Sequence, residues 1–198
     1  MRNLSKLIDF IQFTNAFRKI ERAIRVPGLE RYENDAEHSY QLALTAWYVI
    51  ATEKLSLDVS KVIAYALVHD LVETYAGDVP LHGRTEETIR MKKENEHAAL
   101  ERIRTEFSEF PDLTSCIEAY EGRTDEEAKF VYALDKLIPL IDVYIDDGRA
   151  WKELHVTFEA VRSNKEETTA NSSVVYEYWK LLEKMLRENP SLFPTEEK

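Results

Sequence analysis

The sequence predicts an all-α protein folded as a single compact helical bundle. Only 5 glycines and 6 prolines occur among 198 residues, which leaves little turn chemistry for many short strands. Apolar residues recur at steps of three and four along most of the chain, as on the buried face of an amphipathic helix. No segment alternates apolar and polar residues over a useful strand length.

The first predicted helices are separated by turn and capping residues. The first helix carries an apolar stripe from Leu4 to Ile20 and is interrupted at Pro27-Gly28. Asn34 or Asp35 caps the second, and the third runs from Leu57-Asp58 to His69-Asp70. The later predicted elements are, in order, a loop at 75–84, a charged helix from Thr85 to about Phe107, a short helix from Pro111 to about Tyr120, a helix launched by the capping box 124–127 and kinked or split at Pro139, a helix from about Trp151 to Val161, and a last helix from about Ser173 to Glu188.

Length, charge and cysteine content limit the classes of protein to consider. A chain of 198 residues fits one domain, expected at 1–188, with a polar, frayed tail at 189–198. The net charge of −11 makes general nucleic-acid binding a poor hypothesis, since that needs a basic surface. The longest stretch without Asp, Glu, Lys or Arg, from His38 to Thr52, is too short to span a membrane. With no signal-peptide pattern and one cysteine, we expect a cytoplasmic protein that binds neither nucleic acid nor membrane.

Metal-ligand residue types stand within apolar helix faces at three places. His38 lies near the start of the second helix, His69-Asp70 ends the third, and Asp135 follows an apolar run. Each alone has an ordinary alternative, such as a helix cap, a core histidine or a surface ion pair. A buried carboxylate is costly unless it is paired or binds a metal, and two imidazoles with two carboxylates suit a catalytic divalent ion. The order and context of these residues therefore predict a metal site where three helices converge.

These residues resemble a known signature. His38, His69-Asp70 and Asp135 are similar to the H…HD…D pattern of the HD-domain phosphohydrolase superfamily. Glu73 and Gly77-Asp78 narrow the resemblance to the bacterial 5′-deoxynucleotidase branch, which removes phosphate from deoxynucleoside 5′-monophosphates. The matching strings are Glu37-His38-Ser39, 66–73, Gly77-Asp78 and 133–136, and the resemblance spans roughly Leu7 to Ile145.

The resemblance implies a fold, a cofactor and partners. It implies an HD-type helical bundle and one divalent metal ion held by His38, His69, Asp70 and Asp135. The ligand types leave manganese, cobalt, magnesium, zinc and iron open. It further implies a small phosphorylated substrate, most simply a nucleotide, and a homodimer. The apolar last helix could form the dimer interface or close the core.

Further residues receive roles in catalysis and phosphate binding. If the third helix continues, Glu73 lies one turn beyond His69 and Asp70, where a general acid or base should stand. Asp78, in the following loop, could orient water or the leaving-group oxygen.

A local basic island, residues 18–31, could receive a small anion. The resemblance implies a phosphate-binding arginine from the first helix, with Arg22 the best match and Arg18 the second. A tryptophan follows this arginine in the 5′-deoxynucleotidase branch, whereas Ala23 or Lys19 stands here, so the nucleotide specificity stays open.

Three alternatives remain beside the monophosphatase. The first is another HD-type hydrolase, acting on a nucleoside triphosphate or a phosphodiester. The second is a di-iron carboxylate bundle, suggested by Glu94-x-x-His97 and the weaker match at 35–38. The third, a non-enzymatic helical module, leaves the four ligand-type residues unexplained and predicts folding that chelators do not affect.

Overall fold

The structure is a computed structural model that describes residues 3–77 and 86–194. Most of these residues are in helices. The predicted all-α fold class is confirmed. The elements are α1 (Leu4–Phe17), β1 (Glu21–Arg25), β2 (Tyr32–Asn34), α2 (Asp35–Glu53), α3 (Val59–Val68), α4 (Glu73–Ala76), α5 (Glu86–Glu106), α6 (Pro111–Gly122), α7 (Glu126–Ile145), α8 (Arg149–Glu153), α9 (Phe158–Thr169), α10 (Ser173–Glu188) and a 3₁₀ turn (Pro190–Leu192). Within the described ranges, no helix is both long and apolar enough to cross a bilayer.

A small β-hairpin replaces the end of the predicted first helix. α1 stops at Phe17, and β1 pairs antiparallel with β2, placing Glu21 opposite Asn34. The turn between the strands contains Gly28 in the left-handed region at φ 76°, a conformation that glycine adopts without strain. These strands hold five and three residues, too few to produce a readable alternation. The prediction of a helix through Ile20 was therefore wrong.

Three helices, α2, α3 and α7, surround the centre of the core. α2 begins with the capping box predicted by its sequence, in which the Asn34 side chain accepts from Glu37 N and the Glu37 side chain accepts from Asn34 N. The side chains packed between these helices are apolar and fully or almost fully buried; they include Leu42, Ala46, Val62, Ala66, Val131, Leu134 and Leu137. This packing fixes the positions of the helices that carry the predicted metal ligands, near the start of α2, just after α3 and in the middle of α7.

The third helix ends one residue before His69. Hydrogen bonds from Leu71 N to Val68 O and from Glu73 N to Asp70 O close tight i→i−3 turns, and α4 then begins at Glu73. The expected continuous helix from His69 to Glu73 is therefore absent. The tight turns still bring Glu73 back towards Asp70, by a different backbone path.

α7 is continuous across Pro139. Its N-cap is Asp125, whose carboxylate accepts from Ala128 N at 2.8 Å, one residue later than the predicted start of the capping box. Of the two predicted outcomes at Pro139, a kink or a split, the split is not found, since one helix runs from Glu126 to Ile145. Because proline has no N–H, the carbonyl of Asp135 lacks its usual i+4 donor. The missing backbone hydrogen bond therefore falls on a residue that is itself a predicted metal ligand.

The C-terminal helices close the core. The helix predicted from Trp151 to Val161 is instead two, α8 and α9, while α10 agrees with its predicted bounds. α10 buries Val175, Trp179, Leu182 and Leu186, so most of its apolar face packs inside the protein. The Phe193 ring stacks on Trp151 at 4.8 Å, which extends the core into the stretch 189–198 that we expected to fray.

Gly148 provides a test of this closure. Its φ is +71°, and an added Cβ would lie 2.0 Å from the Leu192 carbonyl oxygen. Gly28 has a similar φ of +76°, but an added Cβ there would meet only open space. We expect Gly28→Ala to lower the free energy of unfolding by about 1–2 kcal/mol, the cost of the left-handed backbone alone. Gly148→Ala should lower the free energy of unfolding by about 1–3 kcal/mol more than Gly28→Ala does, because it adds the cost of overpacking.

Urea unfolding of both variants measures the two free energies. If both variants lose the same free energy of unfolding, the contact between residues 148 and 192 is not tight in solution.

Candidate metal centre

The four predicted ligands lie together in the core. His38 comes from α2, His69 and Asp70 from the turn after α3, and Asp135 from α7. His38 Nε2 lies 2.8 Å from Asp135 Oδ1, and His69 Nε2 lies 3.6 Å from the same oxygen and 2.9 Å from Asp70 Oδ2. Both imidazoles and the Asp135 carboxylate are almost fully buried, whereas Asp70 is partly exposed to the cavity beside it.

The donor atoms suit a divalent cation. Metal–ligand bonds of roughly 2.0–2.2 Å place neighbouring ligand atoms about 3 Å apart, close to the separations found here. His69 Nδ1 lies 3.0 Å from Ala66 O and donates its proton to that carbonyl, so Nε2 is the nitrogen that would bind a metal once its own proton leaves. That buried Nε2 faces two carboxylate oxygens, Asp70 Oδ2 at 2.9 Å and Asp135 Oδ1 at 3.6 Å. His38, His69 and Asp135 therefore form a cluster that could hold a metal ion.

The electrostatics of the cluster favour a cation. Burial raises the pKa of the Asp70 carboxyl, but the neighbouring charge and hydrogen bond of His69 outweigh burial and hold the pKa below its usual range. Burial likewise opposes ionisation of Asp135, and the Lys136 charge and the His38 hydrogen bond lower its pKa well below normal. Both carboxylates are consequently ionised at neutral pH and supply the negative charge that a divalent ion needs.

The two imidazoles experience different surroundings. Burial lowers the pKa of His38 more than the hydrogen bond to Asp135 raises it. At His69, the charges of Asp70 and Asp135 overcome burial and raise the pKa to about 10. In the absence of another cation, the proton on His69 balances the carboxylates, and a divalent ion would replace that proton.

Arg22 reaches the site, and Arg18 does not. The Arg22 side chain leaves β1, not the first helix, and its Nη1 lies 3.0 Å from Asp70 Oδ2 and 3.3 Å from Asp35 Oδ1. Burial lowers its pKa, but the carboxylates around it raise the pKa more, so the guanidinium stays charged. Arg18 follows α1 on the surface and does not line the cavity.

Two buried acids of this site were missed by the sequence analysis as functional residues. Glu33 Oε2 lies 3.3 Å from Arg22 Nε and 3.6 Å from His38 Nδ1, and Asp35 is fully buried. Burial, opposed by the charge of Arg22, raises the pKa of Glu33 to about 7. Two acids shortly before His38 were the available signal, but Asp35 was interpreted as a helix cap and as part of the weak di-iron match at 35–38.

Glu73 stands beside the cluster. It is 5% exposed, and an oxygen of its carboxylate lies within 4.8 Å of oxygens of Asp35 and Asp70. Lys92 Nζ from α5 lies 3.4 Å from Glu73 Oε1. Asp78, the other predicted catalytic residue, lies outside the described residues. The exposed position of His97 on α5 gives the di-iron alternative no support.

A cavity of about 430 Å³ opens beside these side chains. Its polar end contains His69, Asp70, Glu73 and Asp135, together with Arg22. Charged side chains of α5 and α6, among them Lys92, Glu96 and Glu121, line another part of the cavity. The apolar walls come mainly from α7, α8, α9 and the connection between α8 and α9; they include Pro139, Leu140, Val143, Trp151, Leu154, Val156 and Val161. The cavity thus joins a charged end to a chamber of low polarity.

Comparison with known proteins defines the class. The sequence profile of the HD domain family matches residues 14–175, and the chain belongs to this family. Among solved structures, a predicted metal-dependent phosphohydrolase from Magnetospirillum magnetotacticum superposes with a TM-score of 0.82 at 26% identity, covering 96% of both chains. A conserved hypothetical protein from Pyrococcus furiosus shares the fold, with a TM-score of 0.65 at 24% identity, covering 91% of this chain and 99% of that one.

Curated relatives match part of the chain. The 5′-deoxynucleotidase HDDC2 of Mus musculus is 29% identical over 133 residues, covering 66% of this chain and 64% of the mouse protein. The 5′-deoxynucleotidase hdd1 of Schizosaccharomyces pombe is 25% identical over 142 residues, covering 68% of this chain and 70% of the yeast protein. The matched segment thus spans slightly less than two thirds of the mouse relative.

The metal ligands can be tested through stability. A ligand that binds only the folded protein at 100 times its dissociation constant stabilises it by about 2.7 kcal/mol. We therefore expect Mn²⁺ to raise the melting temperature of chelator-stripped protein by roughly 5–10 °C. His38→Ala should abolish this shift, because it removes a buried side chain of the predicted ligand set.

His97→Ala is the matched control, since it removes an exposed histidine of α5. Differential scanning fluorimetry gives the shifts. A full Mn²⁺ shift in His38→Ala would remove His38 from the ligand set, and indifference of the wild type to chelator and metal would favour a non-enzymatic module.

Proposed function

We propose that this protein is a divalent-metal-dependent phosphomonoester hydrolase, a 5′-nucleotidase that removes phosphate from (deoxy)nucleoside 5′-monophosphates. The observation that carries this proposal is the convergence of His38, His69, Asp70 and Asp135 at the charged end of a cavity with an apolar chamber. A nucleoside monophosphate distributes charge in the same way as this cavity, with a charged phosphate at one end and a planar, weakly polar base at the other. The names of the curated relatives support the same substrate class.

The proposal assigns His38, His69, Asp70 and Asp135 as the ligands of one divalent ion. When bound, the ion supplies a Lewis acid for a phosphate oxygen and an acidified water molecule. The donor set accepts manganese, cobalt, magnesium, zinc or iron.

Arg22 is proposed to bind the phosphate. Its guanidinium touches Asp70, so it stands at the edge of the metal centre and faces the cavity. A guanidinium can donate two parallel hydrogen bonds to phosphate oxygens, and its contacts with Glu33 and Asp35 hold the side chain in place. The substrate is thereby oriented before any bond breaks.

Glu73 is proposed to hold and deliver the proton. Its carboxylate is buried and lines the cavity next to Asp70. This places a general acid or base beside the phosphate, where it could take a proton from water and return one to the leaving oxygen. Asp78 keeps its proposed role of orienting the water or the leaving-group oxygen.

A homodimer in the cytoplasm belongs to the same proposal. The last helix is an unsuitable interface because its main apolar face closes the core. α2 instead exposes Tyr40, Leu44, Trp47 and Tyr48, whose spacing places them on one helix face. This face is our proposed contact between two copies.

Phosphate release from a panel of nucleoside 5′-monophosphates tests the function. Chelator-stripped protein should release none, and addition of single divalent metals should restore release. Asp70→Asn should abolish it, because the change removes the negative charge of a proposed ligand. Pyrophosphate release from triphosphates, with no release from any monophosphate, would replace the monophosphatase with the triphosphatase alternative.

Glu73→Gln tests the proton-transfer role. The amide keeps the shape but cannot exchange the proton, so kcat should fall by about 100-fold to 10,000-fold. Bound metal, measured by atomic emission, should stay near one equivalent. Glu94→Gln changes an exposed carboxylate of α5 and should retain full turnover. Unchanged kcat in Glu73→Gln would exclude this residue from proton transfer.

A further inference from the structure

Lys165, a residue with no predicted role, lines the cavity from α9. Val161 and Asn164 line the same cavity, so one face of the helix borders it, at three- and four-residue spacing. The Lys165 carbonyl accepts a hydrogen bond from Thr169 Oγ1 at 2.6 Å, and Thr169 is fully buried. The side chain of Lys165 therefore starts from a firmly anchored backbone.

α9 is also tied to the neighbouring helix. The Glu166 carboxylate accepts hydrogen bonds from Tyr176 at 2.6 Å and from Trp179 at 3.4 Å, both on α10. Trp179 is completely buried. The face of α9 that carries Lys165 is consequently held in position before any ligand arrives.

The other half-buried cations of the cavity already have carboxylate partners. Arg22 contacts Asp70 at 3.0 Å, and Lys136 Nζ lies 2.6 Å from Asp135 Oδ2. Lys165 differs from these two cations. Among residues 3–77 and 86–194, no carboxylate oxygen lies within 4.0 Å of its ammonium nitrogen. Lys92 is also paired, and Arg123, the other cation that lines the cavity, is exposed to solvent. Lys165 is thus the half-buried cation of this cavity without a carboxylate partner in the described residues.

Burial of this ammonium has a cost that a bound anion would remove. Burial and the nearby charge of Lys136 lower the pKa of Lys165 to about 8, against a weaker attraction from Asp135. A lysine whose head reached bulk water would not meet this penalty. A phosphomonoester carries roughly −1.5 to −2 charges near neutral pH, more than Arg22 can balance while it remains paired with carboxylates.

We propose that Lys165 is a phosphate-binding residue, which holds the phosphate group of the substrate from α9 while Arg22 approaches from β1. This inference rests on the proposed phosphate chemistry of the site. It adds a helix from the C-terminal third of the chain to the binding machinery. The phosphate lies between two cations that come from opposite ends of the sequence.

Binding of inorganic phosphate to the metal-loaded protein tests the inference without catalysis. In isothermal titration calorimetry, Lys165→Met should raise the dissociation constant of phosphate about 10-fold or more, because it removes a charge-assisted hydrogen bond. Lys165→Arg should bind within about 3-fold of wild type, since it keeps the charge. Lys184→Met, which alters an exposed lysine of α10, should bind as wild type does. Unchanged phosphate affinity in a folded Lys165→Met protein would overturn the proposal.

A second measurement uses only the wild-type, metal-loaded protein and so does not depend on the folding of a variant. Lysine acetylation followed by mass spectrometry should show slower labelling of Lys165 when phosphate saturates the site, with Lys184 unaffected. Equal labelling of Lys165 with and without phosphate would overturn the proposal. Protection by a nucleoside but not by phosphate would also overturn it, because Lys165 would then contact the base.

The two proposals can fail separately. Lys165-dependent phosphate binding in a protein that hydrolyses no monophosphate would retain this inference and remove the nucleotidase. Hydrolysis with an unchanged KM in Lys165→Met would retain the nucleotidase and remove Lys165 from phosphate binding.

Discussion

The burial of charged and ionisable side chains at the meeting point of three helices is the constraint on which this structure depends. Asp135 and two imidazoles are almost entirely removed from water, and Asp70 lies beside them. Isolated charges at such a position would be expelled or neutralised. Mutual pairing, Arg22 and Lys136 compensate them here, and a divalent cation would do so more completely. The surrounding helices must therefore hold these groups within hydrogen-bonding distance of one another.

The local structure around each ligand serves that requirement. The capping box at Asn34 sets the start of α2 one turn before His38. Tight turns after Val68 hold His69 while its Nδ1 donates to a backbone carbonyl, which orients the other nitrogen towards the carboxylates. The apolar layer between α2, α3 and α7 keeps these three starting points at fixed distances. Stability and site geometry thus depend on the same packing.

Chemistry and recognition are divided between the two halves of the cavity. The charged end gathers acids and bases from α2, α4, α7 and the hairpin, with Lys165 proposed to reach it from α9, whereas the apolar residues of α8 and α9 complete the chamber. Trp151 belongs to this chamber and is supported from behind by Phe193. The C-terminal residues therefore shape the part of the cavity that would meet the organic portion of a substrate. Changes there could alter specificity while leaving the metal centre intact.

The sequence by itself determined the helical class, the bounds of α10, and the grouping of His38, His69, Asp70 and Asp135. Apolar periodicity, and ligand-type residues that interrupt apolar runs in the order of a known family signature, can both be read from the chain. The sequence could not reveal the hairpin, since short strands leave no periodicity and exist here only through pairing and contacts with α2. For the same reason, Arg22 could not be separated from Arg18, nor Glu33, Asp35 and Lys165 recognised, because ordinary charged residues acquire these positions only when distant segments pack together. Burial and neighbouring charge are properties of the tertiary structure, and they decided which of many similar side chains face the cavity.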